Sequence, residues 1–91
     1  MDFDWDFANL EHIAWHKVEP EEAEEAATDP AVISADTVHR GPDGERRSAV
    51  IGATEAGRIL FVVFVTRADR LRVVTARPAN GAERLRYETE E

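Results

Sequence analysis

The most distinctive pattern in the chain is the run Ile59–Val65, which is apolar at every position. A strand that is apolar throughout has both faces covered, so this run predicts a central strand over Arg58–Thr66. Arg47–Ile51 is a second candidate strand, and Gly52–Gly57 is predicted to form the turn between the two. Arg70–Arg77 follows after a short connection and is rich in β-branched residues. These segments together predict an antiparallel meander.

Helical patterns flank the predicted sheet on both sides. Apolar positions recur at helical spacing between Asn9 and His16, and Asn9 is the expected N-terminal cap. Pro20, which is followed by acidic residues, predicts the start of a second helix that ends near Asp29 and can bury only a narrow stripe of alanines. Asn80–Glu83 has the pattern of a capping box and predicts a last helix through Tyr87.

Two short segments complete the expected fold. Phe3–Trp5 alternates apolar and polar residues, which is typical of a short edge strand, and Ala31–Ser34 is either a strand or a loop. The order of elements predicts one α+β domain over residues 1–91. Its expected parts are two N-terminal helices, an antiparallel sheet of three or four strands, and a C-terminal helix.

The composition excludes several classes of protein. A hydrophobic fraction of 43% favours a folded chain, and the absence of cysteine removes disulfides, thiolate metal sites and a cysteine nucleophile. The longest apolar run has seven residues, whereas a membrane span needs about 20. We therefore expect a cytoplasmic protein without a membrane partner. No glycine-rich phosphate loop follows a strand, and no cofactor is expected.

The net charge of -8 is distributed unevenly. The first 45 residues hold 13 acidic side chains against Lys17 and Arg40, whereas the remainder holds nine arginines against six acids. This division predicts one acidic surface and one surface that carries arginine. The planar guanidinium fork of arginine suits phosphate recognition, although a bias towards arginine in the genome would give the same composition.

Several of these arginines fall on or beside two predicted strands. In strict alternation Arg70 and Arg72 point to one face of the sheet, and Arg77 points to the other unless the strand bulges. Arg46 and Arg47 enter the strand expected on the far side of the central one. Clustered guanidinium groups can hold a phosphodiester and stabilise charge on its oxygens. The alternative is that these arginines pair with the acidic residues of the second helix.

Histidine and tyrosine supply the other candidate groups. His12 and His16 share a helix face, but zinc needs a third protein ligand, so no metal site is expected and His12 is interpreted as a surface or packing residue. Tyr87 can stack on a base or donate a proton, or it can anchor the last helix on the sheet.

Taken in order, a set of short motifs resembles the BrnT family of bacterial toxins over nearly the whole chain. The motifs are Phe3-Asp4-Trp5-Asp6, Asn9, His16-Lys17-Val18, Pro20-Glu21-Glu22-Ala23, Asp29-Pro30, Glu45-Arg46-Arg47, Ile51-Gly52-Ala53-Thr54, Gly57-Arg58, Val62-Val63-Phe64, Arg70-Leu71-Arg72-Val73-Val74-Thr75-Ala76-Arg77, Glu83-Arg84 and Tyr87. The resemblance implies a RelE/ParE-like fold and RNA cleavage without a metal ion. It also implies neutralisation by a DNA-binding, BrnA-like antitoxin, which toxins of this kind often bind as a heterotetramer.

The resemblance further implies a mechanism and roles for residues. A base deprotonates a ribose 2′-hydroxyl, this oxygen attacks the adjacent phosphate, arginines stabilise the phosphorane, and an acid protonates the leaving 5′-oxygen. His16 is the expected base or acid, and Arg72 and Arg77 are expected to hold the phosphate. The expected further RNA contacts are Arg46, Arg47, Arg70 and Tyr87.

Two departures from the family pattern leave other functions open. Trp15 stands where the family has a basic residue, and Lys17 stands where it has glycine. A catalytically silent module that binds an antitoxin-like partner on the same fold is therefore the main alternative, and an unrelated housekeeping domain is the third.

Overall fold

The computed structural model describes residues 2–35, 39–40 and 46–90. The elements in chain order are β1 (Asp2–Phe3), α1 (Phe7–Trp15), α2 (Pro20–Ala27), β2 (Ile33–Ser34), β3 (His39–Arg40), β4 (Arg46–Ala53), β5 (Ile59–Arg67), β6 (Arg70–Pro78) and α3 (Gly81–Thr89). The predicted α+β class, with two helices before the long strands and one after them, is confirmed. The sequence Gly-Pro-Asp-Gly predicts a turn or loop over His39–Glu45. His39 and Arg40 instead form β3, and residues 41–45 lie outside the described residues.

The sheet is larger than predicted, and it is mixed. Its strand order is β1-β6-β5-β4-β2, with β3 also paired to β4, so the antiparallel meander β4-β5-β6 forms its middle and β5 is central as expected. The prediction of a purely antiparallel sheet of three or four strands was wrong, because β1 pairs in parallel with β6 through Asp2 and Phe3. The short edge strand expected at Phe3–Trp5 is present as β1, but a strand of two residues has too little pattern to show which strand it pairs with or in which direction.

The start of α1 also differs from the prediction. Asp6, not Asn9, is the N-terminal cap, and its side chain accepts a hydrogen bond from the backbone N–H of Asn9. The side chain of Asn9 in turn accepts one from the backbone N–H of Asp6, so the two residues close a capping box. The predicted starts of α2 at Pro20 and of α3 after Asn80 are confirmed.

One face of the sheet is covered by α1 and α2. Ile13 of α1 and two alanines of α2, Ala23 and Ala26, are fully buried against the sheet. They pack with Leu60, Val62, Val73 and Ala76 from the sheet. This is the narrow alanine stripe predicted for α2, and small side chains let that helix lie close to the strands.

The other face carries a smaller cluster next to α3. Ala49, Ile51 and Val63 are buried there, and Tyr87 of α3 packs against them. No residue of α3 is itself fully buried, so this helix lies on the sheet through a partly exposed contact. Tyr87 thus anchors α3 on the sheet, which was one of the two interpretations of this residue.

Gly52 belongs to β4 and not to a turn, which corrects the prediction for residues 52–57. A Cβ atom at Gly52 would lie 2.0 Å from the carbonyl oxygen of Ala26, so only glycine permits the observed approach of α2 to the strand. The turn is shorter than predicted and ends at Gly57, whose φ of +88° favours glycine.

A bulge in β6 changes which side chains share a face. Val63 pairs with Thr75 whereas Phe64 pairs with Val73, so Val74 is an extra residue in β6. Val73 and Ala76 consequently both contact the cluster under α1 and α2, although they are three residues apart. The bulge therefore places Arg72 and Arg77 on the same face, which strict alternation would not do.

Candidate functional site

Three arginines and a histidine converge on one recess of about 260 Å³ at the end of the sheet near α1. The recess is lined by Ala8, Asn9, His12, Arg47, Val65, Arg67, Arg72, Val73 and Val74. These residues come from α1 and from all three strands of the meander. We call this feature the arginine recess.

The register of the sheet explains why the arginines meet. Val65 of β5 pairs with Arg72 of β6, and Phe64 of β5 pairs with Ser48 of β4. Because β4 and β5 are antiparallel, Arg47, which precedes Ser48, lies opposite Val65 and so in the same row as Arg72. Side chains in one row across neighbouring strands share a face of the sheet and lie close together. Two arginines that are 25 positions apart in sequence therefore flank the same valine.

Asn9 ties the first helix to β6, next to this row. Asn9 is buried, and its side-chain N–H groups donate to the carbonyl oxygens of Asp4 (2.9 Å) and Val73 (3.1 Å). The second of these bonds joins α1 to β6 at its bulge. His12 follows Asn9 by three positions, so its imidazole lies on the adjoining part of the helix surface and reaches the recess.

Among the described residues, Arg72 of the recess is paired with acidic side chains, whereas Arg47 keeps one unsatisfied donor. Arg72 forms an ion pair with Asp6 at 2.9 Å, and hydrogen bonds from Arg72 and from the backbone of Asn9 hold the pKa of Asp6 below its usual value. Nε of Arg47 is buried and has no hydrogen-bond partner within the described part of the chain. A buried donor without a partner is costly, and a phosphate oxygen would satisfy it through a charge-assisted hydrogen bond.

The sequence-predicted residues separate into two groups. Arg47 and Arg72 line the recess, and His16 lies beside it with its ring centroid 5.8 Å from that of His12. Arg46 and Arg70 are exposed and do not line the recess as the structure describes it. Arg46 precedes Arg47 on β4 and so points to the opposite face, and Arg70 lies where β6 begins.

Arg77 lies at the other end of β6, so the structure does not bring it together with Arg72 and His16. Arg77 is five positions after Arg72 along β6, a distance of roughly 16 Å. Arg77 donates two hydrogen bonds to Glu83, at 2.8 and 2.9 Å, and its guanidinium lies 4.3 Å from the ring centre of Phe61. The bond to Glu83 raises the pKa of Arg77. These contacts hold α3 to the sheet.

Tyr87 is also engaged far from the recess. Its hydroxyl donates to the carboxylate of Asp29, and this hydrogen bond raises the pKa of Tyr87 to about 12. The same carboxylate accepts hydrogen bonds from the backbone N–H groups of Ala31 and Ala53. Burial opposes ionisation of Asp29, but these hydrogen bonds outweigh it and lower the pKa of the carboxyl group.

The alternative pairing with the second helix holds for a different arginine. Arg58 is the residue that pairs with α2, at 2.9 Å from Glu22, while Arg72 and Arg77 pair with acids of other elements. His12 and Arg67 line the recess but are not among the site residues predicted from the sequence. The spacing of His12 from Asn9 was a usable signal, because residues three apart on a helix are neighbours.

The described part of the chain contains neither a metal-binding cluster nor a membrane-spanning helix. Within residues 2–35, 39–40 and 46–90, no three or more histidine or acidic side chains are arranged to hold a metal ion. No helix in that same part of the chain is long and apolar enough to cross a membrane.

The chain matches the sequence model of a known protein family. The sequence model of a family described as "Ribonuclease toxin, BrnT, of type II toxin-antitoxin system" matches residues 5–83. The matched region includes α1, α2 and all of the long strands, and therefore every residue of the arginine recess. No curated protein matches the chain.

Proposed function

Because the chain belongs to the BrnT family of ribonuclease toxins from type II toxin–antitoxin systems, we propose that it is an endoribonuclease that cleaves RNA in the cytoplasm without a metal ion. Membership of this family implies an antitoxin as its protein partner. We further propose that the fold is RelE-like and that the antitoxin is a DNA-binding, BrnA-like protein that binds the toxin as a heterotetramer.

The observation that supports this proposal most is the state of Arg47. Its buried Nε has no partner among the described residues, and it lies in the same recess as Arg67 and Arg72. A recess that collects cations, leaves a donor unsatisfied and borders an imidazole is chemically suited to a phosphodiester. The net charge of -8 does not by itself oppose this interpretation, because no acidic residue belongs to the described lining of the recess, although Asp6 beside it pairs with Arg72.

In the proposed mechanism the two histidines exchange protons with the RNA. One of His12 and His16 removes the proton of a ribose 2′-hydroxyl, whose oxygen then forms a bond to phosphorus while the bond to the 5′-oxygen breaks. The other histidine protonates the leaving oxygen. The 5.8 Å separation of the two rings lets both reach groups of one nucleotide. Arg47 and Arg72 stabilise the negative charge that grows on the phosphoryl oxygens.

The remaining candidates have supporting roles in this proposal. Arg46 and Arg70 are exposed and do not line the recess, and they are proposed to contact RNA away from the scissile phosphate. Arg77 and Tyr87 are proposed to stabilise the fold instead of contacting RNA, since both are engaged by carboxylates far from the recess.

The direct test is RNA cleavage by the purified chain, free of antitoxin, in buffer with EDTA. We expect cleavage by the wild type and a loss of about 100-fold or more in both His12→Ala and Arg47→Ala, because each removes a group that acts in the transition state. Arg84→Ala is the matched control. It removes one positive charge from an exposed position of α3 and should cleave as the wild type does.

Intact RNA with the wild type would refute the nuclease proposal, and wild-type activity in both recess variants would refute the assigned site. Arg47→Lys refines the result. It keeps the charge but loses the planar fork, so we expect activity between those of the wild type and Arg47→Ala.

One observation favours the second candidate function, a catalytically silent module that binds an antitoxin-like partner. Arg72 is already paired with Asp6, and this pair must open before Arg72 can bind a phosphate fully. Induced expression in a host without the antitoxin separates the two functions. In that host a nuclease arrests growth unless His12 is replaced, whereas a silent module leaves growth unaffected and binds the antitoxin only when the two purified proteins are mixed.

A further inference from the structure

The most exposed large hydrophobic side chain of the described residues is the indole of Trp15, at 82%. Trp15 is the last residue of α1, and it lines a second recess together with Ala8, Glu11, His12 and His16. A single exposed apolar side chain is common on protein surfaces, but Trp15 lines a recess, so one face of its indole is available to a ligand bound there.

The second recess adjoins the arginine recess. Ala8 and His12 line both, so the imidazole of His12 stands between the three arginines on one side and the indole on the other. Trp15 follows His12 by three positions, which on a helix is a rise of about 4.5 Å. A ligand anchored on the arginines therefore reaches the indole within about one turn of helix.

The chemistry of the second recess suits a flat, polar ligand. Besides the indole, its only apolar lining residue is Ala8, and the others are two histidines and Glu11. A partner helix would need a continuous apolar groove, whereas a nucleobase needs one aromatic face and polar groups around its edge. The carboxylate of Glu11 can accept a hydrogen bond from a base amino group.

From this geometry we propose that Trp15 stacks on a nucleobase of single-stranded RNA next to the phosphate held in the arginine recess. Stacking on an aromatic side chain is a general way to bind single strands, since every base has a π face. This inference rests on the proposed nuclease function and adds a base-binding subsite to it. It also gives a role to Trp15, which stands where the family has a basic residue.

The test uses a short single-stranded RNA that is 2′-O-methylated throughout and so cannot be cleaved. The chain has two tryptophans, and Trp5 is partly buried with its indole N–H donating to Glu24, so the two report on different surroundings. We expect the RNA to quench the fluorescence of Trp5→Phe, in which only Trp15 emits. The RNA should leave the fluorescence of Trp15→Phe, in which only Trp5 emits, nearly unchanged.

Binding and cleavage measurements then separate stacking from other effects. Trp15→Ala should weaken binding of the methylated RNA about tenfold or more and raise KM with little change in kcat, and Trp15→Phe should restore much of the affinity. Phe7→Ala is the matched control. Phe7 is another exposed aromatic residue of α1, at 78%, but it does not line the recess, and its loss should not alter RNA binding.

The outcomes distinguish the base subsite from the nuclease proposal. If the methylated RNA binds wild type and Trp15→Ala equally while Arg47→Ala loses binding, the subsite is refuted and the nuclease proposal stands. If Trp15→Ala loses only antitoxin binding, the surface binds protein and the subsite is also refuted. If the wild type neither binds nor cleaves RNA, both proposals fail together.

Discussion

Replacing Gly52 by alanine tests how closely α2 lies against the sheet. The new Cβ would be 2.0 Å from the carbonyl oxygen of Ala26 and 2.9 Å from its carbonyl carbon, whereas real Cβ contacts essentially never fall below 3.0 Å. The obstacle is backbone, so a side-chain rotation cannot relieve it. Either α2 or β4 must therefore move by about 1 Å or more.

That movement would open the core between α2 and the sheet. Ala23 and Ala26 of α2 are fully buried against Leu60 and Val62, and they cannot follow the strands if the helix shifts away. Overpacking of a core typically costs about 1–3 kcal/mol, and we expect the upper end here because the contact is with backbone. For a domain of this size, about 3 kcal/mol corresponds to a fall in Tm of roughly 12–24 °C.

The assay is urea unfolding followed by circular dichroism, with Gly81→Ala as the matched control. Gly81 is exposed at the start of α3, and a Cβ there would meet nothing within 4 Å. Since alanine favours helices and restricts the unfolded chain, Gly81→Ala should gain about 0.5 kcal/mol. The reasoning is refuted if Gly52→Ala unfolds within about 0.5 kcal/mol of the wild type, or if both variants lose equal stability.

Two further predictions concern the hydrogen bonds of α3. Tyr87 is the single tyrosine, so an absorbance titration should show one phenol with a midpoint near pH 12, and this midpoint should fall towards 10 in Asp29→Asn. Because the pKa of Tyr87 is raised in the folded state, the stability that its hydrogen bond contributes is complete below pH 10 and is lost as the pH rises to 12. A wild-type midpoint near 10 would contradict this structure. Arg77→Ala should lose about 1–2 kcal/mol of stability without loss of RNA cleavage. Because Arg77 lowers the pKa of Glu83, the stability difference between wild type and Arg77→Ala should be complete above pH 4.5 and shrink as the pH falls through the pKa of Glu83 in the folded protein. A stability difference that does not depend on pH, or a variant that is stable but inactive, would contradict a purely structural role for the Arg77–Glu83 pair.

The sequence by itself determined the elements whose signals are local. The apolar run Ile59–Val65 predicted the central strand, Pro20 marked the start of α2, and the capping box at Asn80–Glu83 marked the start of α3. Each of these depends on hydrogen bonds or burial within a few residues. The predicted N-terminal cap of α1, Asn9, was only three residues from the true cap, Asp6, because both residues belong to one capping box.

Tertiary structure alone decided which charged residues meet. Arg72 and Arg77 look equivalent in the sequence, but strand pairing places Arg72 in the same recess as Arg47, whereas Arg77 forms an ion pair with Glu83. The bulge at Val74 and the bond from Asn9 to Val73 then bring α1 and His12 to the same end. Strand register and helix docking are set by contacts between distant parts of the chain, so a local pattern cannot specify them.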